Sequence, residues 1–229
     1  MSKKLKGHTF LGWLTFAMII FALYMALVHA PVERVMGVVQ KIFYFHVASA
    51  WNAFFAFFVV FVASIIFLKT RNRKWDIIAK VSAEIGVVFT TIVLVSGPIW
   101  ARSAWNRWWV WEPRLTTTLI LWFIYLAYIL IRSASIEEDK KGVLAAAFGI
   151  IGFLDVPVVF FAIRWWGSLY HPEVVKGSGG GLHPAMFQAL IACVVAFTFL
   201  YFYFLQKGIF IELSRLRIEK IKEELRAEN

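Results

Sequence analysis

The sequence predicts an all-α, polytopic membrane protein: six transmembrane helices and a tryptophan-rich segment external to the bilayer. Three observations predict it. Hydrophobic residues make up 61% of the 229 and mean hydropathy is +0.72, against roughly 45–50% apolar residues in an average soluble domain. Apolar runs of about 20 residues, the length that crosses a bilayer, recur near 10–29, 42–68, 82–100, 114–132, 143–164 and 185–206. Between the third and fourth runs, Trp105, Trp108, Trp109 and Trp111 crowd into one short connection. Residues 1–229 read as a single integral membrane domain, with an external segment at about 100–116, an external loop at about 165–184 and a cytoplasmic tail at about 207–229.

The first run follows Lys3, Lys4 and Lys6 and lacks a nearby small-residue cleavage site, so it reads as a retained span rather than a signal peptide. Its basic flank also sets the orientation. With the N-terminus inside, Lys69, Arg71, Arg73, Lys74, Lys80, Arg132, Lys140, Lys141 and the basic tail are cytoplasmic. The other side keeps Arg34, Lys41, Arg102, Arg107, Arg114, Arg164 and Lys176. The positive-inside rule then places both termini in the cytoplasm and the tryptophans outside. Charge distributed in this way accounts for the formal net charge of +10 as topology, not as a nucleic-acid surface.

The second run begins with His46 in its first turn, near the outer surface. His29 ends the first run, His171 follows the fifth and His183 precedes the sixth, all outside; only His8 is cytoplasmic. Interfacial anchoring explains Trp13, Trp75 and Trp122 but not four tryptophans in one loop. Coiled as a helix, Trp105, Trp108, Trp109 and Glu112 would share one face, an aromatic shelf for a large flat ligand, with Trp111 pointing elsewhere. Asn106 tolerates left-handed backbone, so a turn there is also open.

Pro113 and Pro184 suit the first turns of the fourth and sixth helices. Asp155 is costly at its depth in the fifth and reads as a structural contact, to Arg164 or to backbone groups freed by Pro157. The glycines around Gly179 make the stretch from His171 to His183 a mobile flap. In the tail, Ile218, Ile221 and Leu225 recur as on an amphipathic cytoplasmic helix, lying on membrane lipid or touching a partner. Cys193 is the only cysteine, which excludes disulfides, a CxxC pair and a CxxCH haem attachment site within the chain. The absence of an internal repeat argues against a transporter of inverted halves.

The tryptophan stretch resembles the "WWD" motif of membrane proteins that handle haem during cytochrome c assembly. Haem requires axial ligands, a flat apolar surface and cations or water for its propionates. His46 and His171 are the best ligand pair, because each lies among aromatic residues and they come from different segments. Trp105, Trp108, Trp109 and Trp111 supply surface. Arg114, beside Glu112, is placed for a propionate or a local ion pair. Without CxxCH, the cofactor would be non-covalent haem b.

Gly97-Pro98-Ile99-Trp100-Ala101, the stretch Trp105 to Thr116, Tyr44-Phe45-His46-Val47, and Asp155-Val156-Pro157 through Trp165-Trp166 and His171-Pro172 together resemble the CcmC family of cytochrome c maturation system I. The resemblance covers all six helices. It implies that the tryptophan segment, His46 and His171 hold haem on the periplasmic side of a bacterial inner membrane. It further implies transfer to the haem chaperone CcmE, assistance from the small membrane protein CcmD, release by the ABC-type subunits CcmA and CcmB, and handling rather than catalysis. Two positions depart from the family pattern Trp-Gly-x-x-Trp-x-Trp-Asp: Asn106 replaces the glycine and Glu112 the aspartate. A transporter moving haem across the bilayer and a haem-containing redox protein are the competing readings, and the clustering of candidate ligands at one end disfavours both.

Overall fold

Within a bilayer, backbone groups have no water to bond with, so each apolar run must coil into a helix. The computed structural model describes residues 3–134, 137–168 and 181–227. Among them are α1 (Lys3–Tyr24), α2 (Ile42–Thr70), α3 (Arg73–Trp105), α4 (Pro113–Ser133), α5 (Glu138–Trp166) and α6 (Pro184–Ala227). Six helical stretches are long and apolar enough to span a membrane. A π turn, Met25–His29, extends α1, and a 3₁₀ turn, Val38–Lys41, leads into α2. The described residues contain no strand, only an isolated bridge between Glu33 and Gly37.

Local chemistry sets the helix ends. Arg71 adopts a left-handed conformation and its N–H bonds the Phe67 carbonyl, while the Asn72 side chain accepts from Lys74 N–H and caps α3. Two residues thus reverse the chain, and α2 and α3 form the most intimate pair. Close approach needs small residues where the helices touch. A Cβ on Gly86 would lie 2.4 Å from the Phe57 ring, and one on Gly149 would lie 2.8 Å from Val60. α4 and α5 pack side by side, α5 returns to α2 and α4 to α3, so α2–α5 form a four-helix group. α6 lies against the outer side of α2 and α3, with α1 on α6 through Ala22, Ala26, Ala189 and Cys193.

The antiparallel order puts the tryptophan loop at one end, with the start of α1 and the far end of α6 at the other. At that opposite end Arg132 of α4 grips Asp76 of α3 through two hydrogen bonds of 2.6 and 3.0 Å. Lys80 of α3 pairs with Glu212 of α6 at 2.7 Å. Asp76, Lys80 and Glu212 lie beyond the apolar runs and Arg132 at the end of one, and the two pairs let α3 begin nine residues earlier than hydrophobicity alone indicates. The tail is likewise not a separate helix. No proline interrupts α6, which continues unbroken through Ile218, Ile221 and Leu225 to Ala227.

Candidate functional site

A helix through the tryptophan segment would have made a shelf of Trp105, Trp108, Trp109 and Glu112. The structure corrects this. Asn106 takes the left-handed conformation, φ 57°, and its N–H closes on the Arg102 carbonyl, ending α3 at Trp105. Arg102 bonds both the carbonyl and the side-chain oxygen of Asn106, bracing the turn. Residues 107–112 are irregular until Pro113 opens α4. The loop separates the tryptophans: Trp105 and Trp109 turn inward, while Trp108 and Trp111 are 61% and 76% exposed. Trp111 meets the edge of Trp109, with ring centroids 5.6 Å apart.

Between α2, α3, α4 and α5, at this end, lies a cleft of about 240 Å³. Its mouth carries Trp105, Trp109 and Arg114, and its walls His46, Trp100, Phe43 and Phe160. It reaches down to Thr90 and Leu121, about four helical turns along α3. Below, Phe57 stacks on Tyr125 at 3.6 Å and closes the bundle.

His46 stands on the α2 wall, half-buried, its Nδ1 2.8 Å from the Ser96 hydroxyl of α3. Trp109 brings an indole Nε1 that is buried with no hydrogen-bond partner among the described residues. Arg114 lies at the mouth and donates to the Phe160 carbonyl at 3.2 Å, joining α4 to α5. Glu112, nearly buried, accepts the Ser168 hydroxyl at 2.5 Å and fastens the loop to the residues after α5. His171 and the glycine-rich flap lie outside the described residues.

The other histidines have different work. His29 Nε2 bonds Gln188 at 3.1 Å, joining the π turn to α6, and His183 Nδ1 accepts from the Ala185 N–H at the start of α6. Asp155 does not pair with Arg164: nine positions along one helix separate the two by about 13 Å of rise. Its Oδ2 is buried without a partner among the described residues, and Arg164 lies over the Phe161 ring.

Sequence reasoning did not single out Ser96 and gave Trp100 no role in the site. Trp100 is 8% exposed and contacts Phe43 and Trp105. Its position five residues before Trp105, within the stretch Gly97 to Ala101, was a usable signal. Ser96 had none, because its partner is 50 residues away.

Six membrane-length helices, four of them enclosing an apolar, tryptophan-walled cleft, define a multi-pass membrane protein. The chain belongs to the Heme exporter protein C (CcmC) family, which it matches over residues 2–226. It is 30% identical to Heme exporter protein C of Bradyrhizobium diazoefficiens, over 95% of this chain and 81% of that protein. To the protein of the same name from Haemophilus influenzae it is 28% identical, over 93% and 84%. Membership gives it a role in haem handling for cytochrome c biogenesis, within the haem export system of cytochrome c maturation.

The cleft fits that cargo chemically. Aromatic walls suit a planar macrocycle, an imidazole suits iron, and a guanidinium with an orphaned indole N–H at the mouth suits carboxylates.

Proposed function

We propose that the protein holds non-covalent haem b in this cleft, on the periplasmic side of a bacterial inner membrane, and hands it to the haem chaperone CcmE. The observation that carries the reading is the convergence of His46, Trp100, Trp105, Trp109 and Arg114 on one apolar cavity. His46 and His171 are the axial ligands, Trp105 and Trp109 flank the ring, Trp108 and Trp111 extend an aromatic surface outward, Arg114 receives a propionate and Glu112 holds the loop in place. The chaperone approaches the loop carrying Trp108 and Trp111. CcmD, CcmA and CcmB are the membrane partners, with ATP used by them. The chain acts by binding and transfer, not by catalysis.

The Phe57–Tyr125 stack under the cleft supports holding at one end over passage through the bundle. The deciding experiment is the optical spectrum and haem content of the purified protein beside His46→Ala and His171→Ala. Each variant should turn a low-spin spectrum into a five-coordinate or water-ligated one, or lose haem, with imidazole partly restoring the first state. Wild-type spectrum and haem content in a folded double variant would refute the assignment.

A further inference from the structure

A serine hydroxyl has one proton to donate. That of Ser96 lies 2.6 Å from the Ile92 carbonyl oxygen of its own helix, and a carbonyl can only accept, so the proton is committed there. The Ser96 oxygen therefore meets His46 Nδ1, 2.8 Å away on α2, as an acceptor.

We propose that Ser96 is a positioning residue for haem coordination: by accepting from Nδ1–H it holds His46 in the tautomer whose Nε2 carries the lone pair for iron. The proposal rests on reading the cleft as a haem site. Metal-binding histidines in general give their second ring N–H to an acceptor, which fixes ring orientation and raises the basicity of the coordinating nitrogen. Here the acceptor is supplied by the neighbouring helix, so His46 is oriented before cargo arrives. The residue after Ser96 serves the same contact. A Cβ on Gly97 would lie 3.4 Å from His46 Cε1, so the ring rests against α3. Pro98 follows and removes one backbone N–H from the ladder of α3 beside the ring.

The tautomer is readable without haem. In protein carrying ¹⁵N-labelled histidine, with the His46 signals identified by their loss in His46→Ala, the wild type should show a protonated Nδ1 and an unprotonated Nε2. Ser96→Thr, which keeps the hydroxyl, should show the same pattern, and Ser96→Ala should move toward the Nε2–H form that unconstrained neutral imidazole favours. A wild-type ring protonated on Nε2 alone would overturn the proposal, whatever either Ser96 variant does. With haem added, Ser96→Ala should bind about tenfold more weakly or worse and shift the reduction potential, while Ser96→Thr stays near wild type. If His46→Ala loses haem but Ser96→Ala binds it as the wild type does, the positioning role fails and the haem site stands. If His46→Ala binds haem normally, the haem site fails and the proposal with it.

Discussion

Trp109 carries an indole N–H into an apolar cleft with nothing among the described residues to receive it, and a buried donor left unpaired is costly unless something supplies the acceptor. If haem supplies it, Trp109→Phe keeps most of the ring surface and loses one hydrogen bond, about 0.5–1.5 kcal/mol, a severalfold loss of affinity in a haem titration. Trp109→Ala also removes ring contact, about 1.5–3 kcal/mol more. Trp108→Ala should do much less to retention, because Trp108 is largely exposed; equal losses at both positions would contradict the placement of these rings. The sequence pattern grouped Trp108 with Trp105 and Trp109 on one helical face, since the left-handed turn that divides them depends on one residue, Asn106. Glu33 is a separate case in the loop after α1. Hydrogen bonds from the Met36 and Val35 N–H groups hold its carboxyl below the ordinary value of 4.5. The lowered value belongs to the folded loop, so that contribution is complete above the unfolded pKa and disappears as pH falls through the folded one. The amide resonances of Val35 and Met36 should follow that single low-pH transition, and Glu33→Gln should abolish it.

Among the helices, apolar run length located all six spans and most of their ends, but it began α3 nine residues late, and the reason is charge compensation. Asp76 and Lys80 interrupt the hydrophobic pattern at the start of α3, yet each is paired across a helix interface, with Arg132 and with Glu212. Pattern along one chain cannot register a partner on another helix. Removing one member of a buried pair strands the other, so Asp76→Ala should cost about 3–5 kcal/mol and lower the thermal unfolding midpoint in detergent, with α4 detaching from α3 at that end. An Asp76→Ala protein as stable as wild type would show that the pair is solvated. Gly86 tests the opposite kind of contact. A Cβ there meets the Phe57 ring at 2.4 Å, and Phe57 is already stacked on Tyr125. Gly86→Ala should therefore destabilise by about 1–3 kcal/mol through overpacking and displace the ring that forms the floor of the cleft. A wild-type unfolding midpoint in this variant would show that the ring moves aside freely.

At the scale of the whole molecule, the two ends of the bundle are built for different tasks. One is closed by ion pairs and projects the basic continuation of α6; the other opens into the aromatic cleft. An even number of crossings puts both termini at the same end, a consequence already present in the count of apolar runs. The cleft was not present there, because its walls come from four helices brought together only by packing. The proposed orientation rests on the loops: the cations Arg71, Arg73, Lys74, Lys80, Arg132, Lys140 and Lys141 lie at the end opposite the tryptophan loop, and the positive-inside rule assigns such a cluster to the cytoplasm. Reporter tags at either terminus should accordingly score as cytoplasmic, and a tag inserted at Gly179 as periplasmic. Reversing the bias with acidic residues at Arg71, Arg73 and Lys74 should yield a mixed population. Periplasmic termini in the unmodified protein would put the cleft in the cytoplasm, where a periplasmic chaperone cannot reach it, and the transfer reading would fall even if haem binding stood.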